Sequence, residues 1–371
     1  MRKLLDVVVP EAALYANFRH LLAAPTCAPA RDALEDLFRD FVDVDGTFIR
    51  EFQSQNFDTR LFELFLDCVF RFEGLTRDTR FSSPDFVLSG RGLEFSVEAV
   101  TLNPTGMVAI APANLATVDF GTPEADIEQR VNLLPVQIHD SLAKKMAKHY
   151  WDLPQVSGRP FVIAIQNFSE RFSLAHTDAA LMHLLYGVTW ALARADGGTL
   201  QAVEVPVASH VRNGHSVESN FFGRAESQQL SAVIFCNTGT LSKFSRFAYR
   251  WDRARYPGIA HMIRHGACVD HRESALVPQP FVQYVGEDSS VESWCEGMTV
   301  LHNPNATHPL DVRAFPGMRH VVRTNDGVKA TTPDFHPLWS HNLNVTSQRY
   351  WRDRLPAPSD VDLERLLRYS R

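Results

Sequence analysis

The sequence predicts an α/β fold, and three observations carry that reading. Between residues 58 and 193, segments of helical period alternate with short apolar runs, in the order helix, strand, strand, helix, strand, helix, which excludes an all-helical or all-β architecture. The composition is that of an ordinary globular protein, 45% hydrophobic and 22% charged. The 371 residues are enough to bury a large core, as two domains or as one domain with a large elaboration. There are no internal repeats and no low-complexity segment.

Each element has its own signal. In ARDALEDLFRDFV (30–42), Leu34, Leu37, Phe38 and Phe41 recur at helical spacing. A second helix is expected to start at Asp58 as N-cap, run through RLFELFLDCVFRF and stop at Gly74. PDFVLSG and GLEFSVEAV read as two strands joined by a turn at Gly90 and Gly92. A Pro-, Thr- and Asn-rich loop (102–121) follows, and Thr122-Pro123-Glu124 signals another helix start. That helical pattern is expected to continue past a kink at Pro135 to Trp151. RPFVIAIQNF has the look of a buried strand, HTDAALMHLLYGVTWALA that of a helix, and SAVIFC that of another buried strand. Periodicity leaves open whether the C-terminal half extends the first sheet or forms a second domain.

Net charge is −6, so binding to nucleic acid would have to come from a local basic patch. The five cysteines are scattered without a C-x-x-C, and the N-terminal residues lack a convincing signal-peptide pattern. A cytoplasmic protein with free thiols is expected. No apolar run reaches membrane-spanning length, so no membrane partner is expected.

The chemistry-bearing residues are carboxylates. Glu63 lies in LFELFLDCVF, apolar on nearly every side, where an ionised carboxylate is costly unless it is paired with Arg60 or Arg71 or serves a metal. In LEFSVEAV, alternation puts Leu93, Phe95, Val97 and Ala99 on one face and Glu94, Ser96, Glu98 and Val100 on the other. Glu98 is then aimed where Asp85 on the neighbouring strand could meet it. Two adjacent carboxylates repel, and the arrangement persists when a divalent cation lies between them. Hard oxygens suit Mg²⁺ or Mn²⁺, which can activate water against a phosphodiester. Asp85 as a turn residue and Glu98 as a solvated strand residue is the competing structural explanation.

Glu63 on a helix, Pro84-Asp85 on a first strand and Glu98 on a second, followed by a basic helix, resemble the PD-(D/E)xK nuclease superfamily over roughly residues 55 to 170. The resemblance implies a restriction-endonuclease-like αβββαβ core with a mixed sheet flanked by helices. It divides the chain into a helical extension (1–55), the core (56–200) and a C-terminal α+β elaboration or second domain (201–371). It implies a Mg²⁺- or Mn²⁺-dependent endonuclease acting on nucleic acid, DNA ahead of RNA, in a restriction or phage-defence setting, with a homodimer as an option. Asp85, Glu98 and the backbone carbonyl of Ala99 would bind the metal, and Glu63 would assist. The family expects a lysine two residues after the glutamate, where this chain has Val100. In the superfamily that lysine is sometimes supplied by the following helix, here SLAKKMAKHYW. With Leu142, Met146 and Tyr150 marking its buried stripe, Lys145 is the first choice for catalysis, Gln137 is a polar neighbour, and Lys144 and Lys148 lie further round toward nucleic acid. Loss of the lysine would instead leave an inactive binding module.

Other signals compete. FVDVDGTF (41–48) resembles the haloacid-dehalogenase-like phosphatase motif, in which Asp43 would be the nucleophile and Asp45 the general acid, but LEDLFRD before it is not a buried strand. A D-G turn between helices is the structural alternative. His261, His265 and His271 raise a zinc site that would need a helix. The segment 243–264 interleaves Lys243, Arg246, Arg250, Arg253, Arg255 and Arg264 with five aromatics, which suits phosphate contact and base stacking, or else a solvated basic helix face over an aromatic core face. There is no P-loop and no G-x-G-x-x-G.

Overall fold

A computed structural model of the chain describes residues 3–103, 128–169, 176–194, 200–272, 275–287 and 291–346. It is mixed α/β: one large mixed sheet with helices on both faces. Three helices open the chain, α1 (Ala16–Ala23), α2 (Ala28–Phe38) and α3 (Phe48–Phe52). The long helix α4 (Phe57–Phe72) follows. Asp58 lies inside its first turn rather than at the cap, and its carboxylate accepts a hydrogen bond from the Tyr15 hydroxyl. The backbone already turns at Ser54, whose carbonyl accepts from Phe57 N–H, so the helix starts at Phe57, two residues earlier than a side-chain cap at Asp58 would place it. Its C-terminus closes with Gly74 in the left-handed region (φ 72°). Gly74 N–H donates to Arg71 and Leu75 N–H to Phe70, the paired bonds of a glycine-terminated helix.

Next come the two-residue strand β1 (Thr76–Arg77), β2 (Phe86–Gly90) and β3 (Leu93–Leu102). Arg91 and Gly92, both at positive φ, form the two-residue hairpin turn between β2 and β3. After α5 (Leu134–Met146), β4 (Phe161–Asn167) pairs parallel to β3. The helix start expected at Thr122 lies outside the described residues. Pro135 stands where the helical run changes pitch: a π-helical turn, Gln129–Leu133, leads directly into α5, and such a wide turn accommodates a proline inside a helix. The expected run to Trp151 ends instead at Met146, and His149 at φ 51° turns the chain into a short 3₁₀ turn, Tyr150–Asp152.

The segment expected as one helix over 176–193 divides into α6 (Ala179–Tyr186) and β5 (Val188–Arg194). Gly187 at φ 69° ends the helix, and Val188, Thr189 and Trp190 are β-branched or aromatic. β5 pairs with β6 (Leu200–Pro206), and β7 (Ser209–Arg212) with β8 (His215–Glu218).

The C-terminal half then extends the first sheet. β9 (Ala232–Cys236) is followed by α7 (Leu241–Trp251), β10 (His261–Cys268), β11 (Gln279–Tyr284), β12 (Thr299–His302), β13 (Arg319–Thr324), β14 (Gly327–Thr331) and β15 (Pro337–Val345). The eight-stranded sheet has the order β1-β2-β3-β4-β9-β12-β13-β14, and β11-β10-β15 form a separate antiparallel sheet. Fully buried β4 and β9 sit at its centre, consistent with strands covered on both faces. Phe95, Val97 and Ala99 of β3 join the core built on α4, including Phe62, Phe65 and Val69. Val100 and Leu102 join the opposite core, with Leu142 and Met146 of α5 and Leu181 and Leu185 of α6. Strand alternation therefore aims Glu98 toward α5. The five cysteines are unpaired thiols, and among the described residues no helix is long and apolar enough to cross a membrane.

Candidate active site

Asp85 stands just before β2, opposite Glu98 of β3, at the point where the β2–β3 ladder ends with Phe86 against Val97. Two hydrogen bonds lock the corner: Asp85 N–H donates to Glu98 Oε2 (3.2 Å), and Ala99 N–H donates to Asp85 Oδ2 (2.7 Å). A strand residue presents its N–H and C=O to the same edge. The Ala99 carbonyl therefore faces the same corner, beyond the last residue of β2.

The other carboxylate oxygen of Glu98 is held from α5 and the turn after it. Lys145 Nζ donates to Glu98 Oε1 at 2.5 Å, and the Tyr150 hydroxyl donates to the same oxygen at 2.5 Å. The amine thus reaches the carboxylate two residues before Val100, although Val100 itself is packed in the apolar core and carries no polar group. Leu142, Met146 and Tyr150 are the buried stripe of this segment, and Lys145 lies at its border, half-buried. Tyr150 was legible in the sequence only as a member of that stripe. Its second role follows from the general need of a buried tyrosine hydroxyl for a partner. Lys144 and Lys148 are exposed on the same helix segment, and Gln137 lies against the Arg212 guanidinium rather than at the carboxylates.

Glu63 approaches from α4. Arg60 pairs with it (2.5 Å) and also with Glu51 (2.6 Å), while Arg71 is engaged by Asp67 (2.9 Å) instead. Burial pushes the Glu63 carboxyl up, and Arg60 opposes that shift. Asp85 is pushed well above the usual carboxylate range, first by burial, then by the negative charges of Glu98 and Glu63. The Ala99 N–H and Lys145 only partly compensate. Burial and the bond to Glu98 push the Tyr150 phenol up, so it stays a proton donor at neutral pH.

The sign of the Asp85 shift makes a stability prediction. Its folded pKa lies above its unfolded one, so the fold favours the protonated form. That contribution is full below the ordinary carboxylate value near 3.9 and is lost as pH rises through the elevated folded value. In chelator-treated protein, Asp85→Asn is therefore expected to gain thermal stability relative to the wild type as pH is raised from about 5 to 8. Parallel Tm-against-pH curves for the two proteins would contradict it.

The donor set is hard oxygen: the Asp85 and Glu98 carboxylates and the Ala99 carbonyl. It fits Mg²⁺ or Mn²⁺, and Mg²⁺ is commonly held by one or two carboxylates with substrate phosphate completing its shell. Among the described residues no group of three or more His, Cys, Asp or Glu side chains is arranged to hold a metal ion.

The competing motifs are arranged differently. Asp43 caps a loop between α2 and α3, accepting from Gly46 N–H (2.9 Å) and Phe48 N–H (3.1 Å). No strand precedes it and Asp45 is nearby in the same turn, so the turn explanation accounts for FVDVDGTF. His261 and His265 lie on strand β10, not a helix: His261 bonds Glu287 and His265 faces the His341 ring. The expected nucleic-acid contacts in 243–264 are corrected in part. Lys243 and Arg246 are buried and turn inward to Glu292, because the apolar stripe of α7 and the acids behind it share one face. Arg253 is exposed and pairs with Glu287, and Arg250 is half-buried.

Compared with family models, curated proteins and solved structures, the chain matches none.

Proposed function

We propose that the chain is a metal-dependent nuclease of the PD-(D/E)xK type whose lysine is supplied by α5. The observation that carries the reading is the 2.5 Å contact of Lys145 Nζ with Glu98, on the carboxylate whose other oxygen accepts from Asp85 N–H. Helix α4, the meander β1-β2-β3, helix α5 and strand β4 follow one another in the order of an αβββαβ core, with β3 parallel to β4, and support the same reading.

On this reading, Asp85, Glu98 and the Ala99 carbonyl hold Mg²⁺ or Mn²⁺. The cation supplies charge neutralisation on a phosphodiester and a more acidic water. The chain's own groups do the rest. Lys145 presents an ammonium donor where negative charge grows on the phosphorane oxygens and steadies the attacking water. Tyr150 fixes the rotamer of Glu98 from the side opposite Asp85. Glu63, neutralised in part by Arg60, adds negative potential that favours a cation at Asp85. Exposed Lys144 and Lys148, one residue before and three residues after Lys145, suit backbone phosphates.

The purified chain is expected to cleave DNA with Mg²⁺ or Mn²⁺ and to stop on chelation. Parallel digests of plasmid, single-stranded DNA and RNA read out the substrate class. Absence of metal-dependent cleavage on all three substrates overturns the proposal.

A further inference from the structure

The arginines that turn away from solvent line a cavity remote in sequence from Asp85 and Glu98. It has a volume of about 280 Å³ and lies between α7, the β10–β11 hairpin and the segment carrying Glu292 and Glu296. Phe247, Tyr284, Val285 and Phe335 form one apolar and aromatic part of its wall, and charged and polar side chains, Arg250 and Gln283 among them, form the rest. Three cations are buried beside it, Lys243, Arg246 and Arg264, against two carboxylates, Glu292 and Glu296. Arg246 is fully engaged, with two bonds to Glu292 (2.7 Å each) and one to Asn342 (2.7 Å).

Arg264 is not. Its Nε donates to Ser340 (3.1 Å) and its Nη1 to Glu296 (2.5 Å) and Gln283 (3.4 Å), yet among the described residues Nη2 has no hydrogen-bond partner. The side chain is 1% exposed, lines the cavity, and has its guanidinium over the rings of Phe281 and Phe335. A buried guanidinium N–H without an acceptor is costly, and one added oxyanion would supply that acceptor. The volume is several times the roughly 30 Å³ share of a water and near the lower end of small-molecule sites, so the anion would carry a body. Aromatic walls suit a flat one.

We infer that this cavity binds a small organic oxyanion, a carboxylate or phosphate borne on a flat apolar or aromatic group, with Arg264 Nη2 as the donor that selects it. The site is independent of the phosphodiester chemistry proposed at Asp85 and Glu98.

Calorimetric titration of the full chain with benzoate, adenosine 5′-monophosphate and inorganic phosphate, each alone, tests it. Saturable one-to-one binding is expected for benzoate or the nucleotide, tighter than for phosphate. Benzoate and the nucleotide distinguish a carboxylate from a phosphate ligand. The paired variant Arg264→Met with Glu296→Gln removes one charge of each sign, so the balance of buried charge is unchanged, and is expected to weaken binding at least about tenfold. Val291→Trp, at an exposed lining residue outside the ion cluster, is expected to block the organic anions without unfolding the chain. No binding of any of the three probes, or undiminished affinity in either folded variant, overturns the inference.

Discussion

Glu98→Gln is expected to lower metal-dependent cleavage by about a thousandfold or more while leaving the chain folded. The residue is 4% exposed and its carboxylate accepts from Lys145, Tyr150 and the Asp85 N–H, so it is both the anchor of the corner and one of two anionic metal ligands on the reading above. The amide keeps the shape, and its oxygen can still accept from Lys145 and Tyr150, but its NH2 leaves the Asp85 N–H without its acceptor, and it removes the charge a cation needs. Removing that charge also relieves Asp85, whose carboxyl Glu98 pushes up, so the variant should lose little thermal stability. The Mg²⁺ concentration giving half-maximal rate should rise sharply. Cleavage at the wild-type rate and metal requirement would end the case for this site.

Lys145→Met should cost about 10²- to 10⁴-fold in rate, the usual scale for losing one positioned proton-transfer or charge-stabilising group. Methionine retains the aliphatic length of the lysine stem beside Met146, so packing is largely kept. The half-maximal Mg²⁺ concentration should stay the same or fall, because the ammonium that shares Glu98 Oε1 is gone. This opposite response of metal requirement separates a charge-stabilising lysine from a ligand-supporting one. A variant that cleaves like the wild type assigns the lysine's role to another residue. A variant whose metal requirement rises as for Glu98→Gln makes Lys145 a scaffold for the ligand instead.

Much of the candidate site was legible in the sequence because it depends on local periodicities. Strand alternation separates Glu98 from Phe95, Val97 and Ala99, and the i, i+4 spacing of Leu142 and Met146 fixes which side of α5 meets the sheet. Those two facts together put Lys145 at the border of the buried stripe. The burial of Tyr150 followed from the same stripe, but its bond to Glu98 did not, since it lies beyond the helix, after the left-handed turn at His149. The β1 strand was missed because two residues carry no period. The boundary at Gly187 was missed because the apolar run on either side is compatible with helix or strand. Lys243 and Arg246 misled because composition records charge but not direction. Their acid, Glu292, lies some fifty residues downstream, and only the folded chain brings them together.

Lys145 reaches Glu98 across 47 residues. When glutamate and lysine share a strand, their spacing is rigid and one inserted residue destroys it. Here the position of the amine is set instead by the docking of α5 through Leu142 and Met146. A single residue inserted within α5 ahead of Lys145 rotates everything after it by about 100°. The site is thus sensitive to angular phase. A search for similar sites should accordingly specify a helical phase relative to an apolar stripe.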